Sequence, residues 1–324
     1  MSHGKFRSSF LFLVLTLRCM GSCPWAFAES PQDGTLAPDE AQVLWERATT
    51  DFEKTQYESA AHALRRLTAR VPTHPQWLQA QKLLGEAELR LRNYKAAQEA
   101  FQTFLSNTKG RGEISDSVRT LLAETHLQAS QPTEALLISE KMLSKSTRGQ
   151  WKRPLESQIH KVRALLALGQ IKRAQSTLEM ALKRPLTQTQ DPEWASDWLS
   201  SLQIQLKSVQ CDGFVSSSAQ PTLDEGQVMD QVRRHGLCIE ELQGLRSKKQ
   251  PSSASIASVQ ALGAFEKTKL KFSQACKGPQ DVSRAGGIRR TAEEQEFYRR
   301  ELRRKLSEIC DPLLGQSHQA QGNS

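Results

Sequence analysis

Four cysteines are the residues of this chain best suited to chemistry. Cys211, Cys238, Cys276 and Cys310 all lie in the later part of the 324 residues, and the other two, Cys19 and Cys23, stand near the start. Thiolates bind zinc, and with His235 among them a metal site is one reading. The gaps of 26, 37 and 33 residues between the four contain no tight Cys-x2-Cys pair, however. An even number confined to one region reads more naturally as two disulfides. No nucleophile signature surrounds any cysteine. The sequence contains no His-Glu-x-x-His, no Gly-x-Ser-x-Gly and no phosphate-cradling glycine loop, and Gly286-Gly287 reads as a plain turn. His62, His74, His126, His160 and His235 occur singly. The sequence thus points to no catalytic residue, metal ligand or cofactor.

Disulfides call for an oxidising compartment, and the amino terminus supplies the matching pattern. Lys5 and Arg7 precede an apolar run from Phe10 to Leu17, and Ala26-Phe27-Ala28 offers a small-x-small cleavage site. This layout predicts a signal peptide over residues 1–28 and an exported chain. Arg18 interrupts the run, leaving it too short to span a bilayer. Met20-Gly21-Ser22-Cys23 is a poor version of the lipoprotein pattern, so a lipid anchor at Cys23 is the lesser alternative. The periplasm is the expected location, with secretion as the other outcome.

Charge is unevenly spread. The chain carries +9, or +6 without residues 1–28, which hold Lys5, Arg7 and Arg18 and no acid. Between Arg246 and Arg290, ten basic residues face only Glu266 and Asp281. This basic 246–290 region suits an anionic envelope surface; its other reading is a solvated face. Nucleic acid is not expected, because basic and aromatic residues do not interleave.

The elements that position these groups repeat. Ala60, Ala97, Ala135 and Ala174 are 37, 38 and 39 residues apart. The first phrase reads Tyr57-x2-Ala60-x3-Leu64-x2-Leu67, closed by Pro72, and the second reads Tyr94-x2-Ala97-x3-Phe101-x2-Phe104. The third is weaker, with Pro132 and Ser139 in the tyrosine and aromatic slots and Met142 after them. The fourth runs Ile171, Ala174, Leu178, Ala181. Twelve positions before each alanine stand Ala48, Gly85, Ala123 and Val162, small in three cases so that two helices can approach closely. A period of this length implies one supersecondary unit stacked several times.

This pattern resembles the tetratricopeptide repeat (TPR), two antiparallel helices in a unit of nominally 34 residues. The resemblance covers residues 40–185, and the extra residues per step would lengthen the turns between units. Such long units look like those of bacterial envelope proteins of the outer-membrane-assembly and Tol–Pal-associated groups. It implies an all-α, right-handed helical solenoid that binds an unidentified protein with the first helix of each unit. Carried over position by position, the groove residues would be Gln42, Trp45 and Thr49, then Gln79, Lys82 and Glu86. The later units give Thr120 and Glu124, then Ile159 and Arg163. Trp45 would be the hot spot, since tryptophan is enriched where interfaces are tight; its other reading is a packing residue. The family's carboxylate clamp has lysine followed by asparagine four positions on. Here Glu86 follows Lys82, so recognition of a chaperone's acidic terminus is not implied.

The expected organisation is a flexible segment over 29–39, four repeats over 40–185 and a capping helix over 190–210. A small disulfide-bonded helical domain follows over 211–314, with a disordered tail over 315–324. Trp194, Trp198, Leu202 and Leu206 would cap the last repeat. Three later helical stretches follow: one with Val228, Val232, Ile239 and Leu242, one with Ile256, Val259, Leu262, Phe265, Phe272 and Cys276, and one with Tyr298, Leu302, Leu306 and Ile309. Asp311-Pro312 would end the last helix. If these helices alternate in direction, Cys211–Cys276 and Cys238–Cys310 is the favoured pairing, with sequential pairing the alternative. The expected function is a non-enzymatic protein-binding or scaffolding factor of the periplasm or cell envelope. An envelope hydrolase with a TPR positioning domain, or a secreted effector binding host proteins, are the competing classes.

Overall fold

One backbone device recurs four times and makes the repeat. The computed structural model describes residues 38–109, 112–147, 154–189, 191–215, 224–248, 255–279 and 289–319. The proposed signal peptide, Cys23 and residues 320–324 of the tail lie outside them, as do 249–254 and 280–288 of the basic region. The described residues form twelve α-helices and one 3-10 turn, with no strand among them.

Eight helices form four hairpins: α1 (Pro38–Glu53) with α2 (Tyr57–Arg70), α3 (Trp77–Arg90) with α4 (Tyr94–Asn107), α5 (Glu113–Gln128) with α6 (Pro132–Thr147), and α7 (Pro154–Ala167) with α8 (Ile171–Leu182). Inside each hairpin the turn is three residues long, and its middle residue has positive φ: Thr55 at 60°, Arg92 at 62°, Ser130 at 59° and Gly169 at 70°. The residue after it donates its amide five residues back, in each case at 2.8 Å: Gln56 to Asp51 O, Asn93 to Glu88 O, Gln131 to His126 O and Gln170 to Leu165 O. This is a Schellman termination, which satisfies carbonyls that the helix end would orphan and reverses the chain. Tyr57, Tyr94, Pro132 and Ile171 each open the second helix two residues later. Part of the longer period lies in the connection 71–76 between units one and two, and part in the 16-residue helices α5 and α6.

Packing follows the small residues. Ala60, Ala97, Ala135 and Ala174 are fully buried on the second helices, and Ala48, Gly85, Ala123 and Val162 are buried on the first. Leu64, Leu67, Phe101, Phe104 and Leu178 fill the space between neighbouring units. The result is the TPR-like helical solenoid that the repeat implies.

Four longer helices complete the chain: α9 (Pro192–Val215), α10 (Glu225–Lys248), α11 (Ile256–Ala275) and α12 (Ala292–Gln319). The first half of α9 covers the last repeat, where Ala195, Trp198, Leu199 and Leu202 join Leu155, Val162 and Ala174 in one core. Its second half enters another core, where Ile204 and Cys211 meet Val232, Phe272 and Leu306. One helix therefore serves both halves of the molecule. Directions are set by its contacts. Ser201 Oγ donates to Ala257 O at 2.7 Å and Thr268 Oγ1 to Asp212 Oδ1 at 3.1 Å, so α11 runs parallel to α9. Lys207–Glu241 and Cys211–Cys238 make α10 antiparallel to it.

Two expectations are corrected here. The disulfides are sequential, Cys211–Cys238 and Cys276–Cys310, with Cα separations of 5.6 and 6.1 Å. Cys211 does not precede the bundle but lies inside α9, on the side that packs against α10. With all four sulfurs oxidised, no thiolate remains for the zinc reading. Next, α12 does not stop at Asp311-Pro312 but continues to Gln319. Leu313 is buried in the bundle core, over the bare Cα of Gly236, and this packing holds the turn beyond Pro312. Of its apolar residues, α11 buries Ala257, Ala261, Phe265 and Phe272, with Thr268 beside them, and leaves Ile256, Val259 and Leu262 on the outside.

Candidate protein-binding face

The first helices of the units bring ten groove candidates together, but do not present them equally. On α1, Gln42 is exposed and donates from Nε2 to Glu46 Oε1 at 2.8 Å. Trp45 is half-buried against the core of the first two units. Thr49 Oγ1 turns back to donate to Trp45 O at 3.1 Å, a common use of threonine inside a helix. On α3, Gln79 is exposed, and Lys82 and Glu86 form an i,i+4 ion pair of 2.7 Å that leaves both partly accessible. These six residues make a polar face with one aromatic side chain in it.

From α5 onward the candidates are engaged across units. Thr120 Oγ1 donates to Asp116 O at 3.1 Å. Glu124 receives Arg163 Nη2 on Oε1 at 3.1 Å, with Nη1 on the other oxygen. Gln128 Nε2 donates to Oε1 at 2.8 Å, and His160 Nε2 lies 3.1 Å from Oε2. Burial alone would raise the Glu124 carboxyl, but the Arg163 charge, with hydrogen bonds from His160 and Arg163, holds it well below the usual carboxylate range. The guanidinium also stacks on Trp198, 3.7 Å from the ring centroid. Trp194 meets the His160 ring edge-on at 5.8 Å.

Glu124 and Arg163 therefore satisfy each other across two units, in place of waiting for a ligand. Ile159, expected on the open face, is instead fully buried, because α9 lies across the fourth unit. Beside this lock is a cleft of about 320 Å³, lined by Leu127, Arg163, Leu166, Gln205, Val209 and Ala264. It joins α5 and α7 to α9 and α11. Sequence reasoning missed it, since nothing local ties Ala264 to Leu127. Among the described residues no cluster of His, Cys, Asp and Glu suits a metal ion.

No protein-family profile matches the chain, and no curated protein does either. Among solved structures, the chain is similar to a tetratricopeptide repeat protein from Parabacteroides merdae ATCC 43184, determined by crystallography at 2.39 Å. The two share 12% identity with a TM-score of 0.43, over 83% of this chain and 99% of that one. The repeat assignment rests on the four matching turns and the buried alanine ladder of this chain itself.

Proposed function

We propose that this protein is an exported binding or scaffolding factor, without catalytic activity of its own, that holds a protein partner on the first-helix face of units one and two. The observation that carries the reading is the gradient along that face. Gln42 and Gln79 are exposed and the Lys82 and Glu86 side chains keep 25 and 22% of their surface, whereas in units three and four Ile159 is buried and Arg163, paired with Glu124 and stacked on Trp198, keeps 8%. A TPR-like solenoid supports protein binding, because each stacked unit adds surface without adding a catalytic cavity.

Two disulfides fit an oxidising compartment, and the signal-like amino terminus fits export to the periplasm, as in the envelope TPR proteins that the sequence resembles. No described helix is long and apolar enough to cross a membrane.

Photo-crosslinking in the native cell tests the reading. A probe at Trp45, Lys82 or Gln79 should capture one defined protein, and probes at Glu99 and Leu137, exposed on second helices, should not. Equal capture from both sets would defeat the groove assignment. Release into the culture medium, with nothing retained by washed cells, would defeat the envelope location.

A further inference from the structure

We propose that the outer face of α11 docks this protein on an anionic phospholipid bilayer. The helix is apolar on two sides. One side is used by the fold: Ala257, Ala261, Phe265 and Phe272 are buried against α9 and α10. The other side carries Ile256, Val259, Leu262 and Leu270, which are 59, 64, 44 and 60% exposed. At 100° per residue these four fall within about one third of the helix circumference, so they form a stripe and not a scatter. Packing within the chain does not explain them, since the first face already anchors the helix.

Charge selects the occupant. Lys267 and Lys269 flank the stripe on its two sides, where long basic side chains can rest on an apolar surface and reach phosphate groups. Lys271 is engaged by Asp212. Glu266, the one acid on the stripe, has Arg246 at 3.9 Å. With Arg246 set against Glu266 and Lys271 against Asp212, Lys267 and Lys269 leave the described stripe with a positive rim, which a membrane of negative surface potential attracts. A second copy of the chain fits less well, because two such faces would bring rims of the same sign together. Only one face of α11 enters the headgroup layer, while the other stays in the bundle. The surface is separate from the first-helix face, so docking leaves Trp45 and Lys82 free for a protein.

The test is co-sedimentation of the full oxidised chain with phosphatidylcholine vesicles, with and without phosphatidylglycerol. Binding to the phosphatidylglycerol vesicles should be at least tenfold tighter and should weaken as salt is raised. Val259→Asp with Leu262→Asp should lower it at least tenfold while helicity and both disulfides are retained, the two side chains being exposed. Lys267→Glu with Lys269→Glu should abolish the preference for the anionic lipid. Three outcomes overturn the proposal: no preference of the native chain for anionic vesicles, undiminished binding by the aspartate variant, or a lipid-free dimer that the aspartate variant turns into monomer. The last would assign the stripe to a second copy. Crosslinking from Trp45 should be the same in the native and aspartate chains, so the docking and groove readings can fail separately.

Discussion

The ring of Phe101 occupies the space in which a side chain on Gly85 would stand. A Cβ built on Gly85 would lie 2.5 Å from Phe101 Cε1, far inside van der Waals contact. Gly85 on α3 is thus required by close approach to α4, against the ordinary preference of helices for alanine. Gly85→Ala should destabilise the protein by about 1–3 kcal/mol in urea unfolding. Combined with Phe101→Leu, the loss should be smaller than the sum by on the order of 1 kcal/mol. Additive losses would show that the two residues do not share the space.

The hairpin turns hold three non-glycine residues at positive φ, where an L side chain costs about 1–2 kcal/mol. Thr55 is β-branched, the least suited of them. Thr55→Gly should therefore raise stability by about 0.5–1 kcal/mol, after allowing for glycine's looser unfolded chain. Gly169→Ala should lower it by about 1 kcal/mol. Thermal melting of both variants checks this, and a destabilised Thr55→Gly would contradict the shared turn geometry.

Helix α12 packs on α10, where Lys305 pairs with Glu225, and is tied to the end of α11 through Cys276–Cys310. Replacing both of these cysteines with serine should cost about 2–4 kcal/mol by freeing the intervening loop in the unfolded chain. Hydrogen exchange should then rise first in 292–319, ahead of the repeats. Unchanged protection there would mean that packing alone holds α12.

His235 is buried against the edge of Phe272, with no hydrogen-bond partner on either ring nitrogen. Burial pushes it down to about 4, with Asp212 acting the other way and Lys271 adding to the depression. A base that is neutral in the fold but titrates near 6.5 when unfolded binds its proton preferentially in the unfolded state. Its contribution is complete above about 6.5 and is lost as pH falls through 4. Denaturation midpoints should decline across that window, and His235→Leu should flatten the decline. An identical pH profile in the variant would remove His235 as its source.

Arg163→Ala would leave the Glu124 carboxylate enclosed without its main counter-charge and strip the guanidinium from Trp198. The expected loss is about 3–5 kcal/mol by equilibrium unfolding. Glu124→Gln with Arg163→Met should recover much of it, since no buried charge is left unpaired. If the double variant is no better than Arg163→Ala, the pair is not the source of the stability.

The repeat was legible in the sequence because its causes are local. A small residue recurs every 37 to 39 positions, and each hairpin turn is closed by hydrogen bonds within six residues. Trp198, Leu202 and Leu206 likewise fall on one face of a single helix, and they share a core with the fourth repeat. Of the candidate site, the six residues on α1 and α3 could be placed by register alone. What only the tertiary structure decided depends on which distant helix lies opposite. Cys211 faces Cys238 because α9 runs on to Val215, Ile159 is buried because α9 crosses the fourth unit, and α12 outlasts Pro312 because Leu313 finds Gly236. Helical spacing made Ile256, Val259 and Leu262 apolar neighbours, but it does not say which apolar face turns inward. Packing against α9 chose the alanine and phenylalanine face, and that choice left the other in contact with the surroundings.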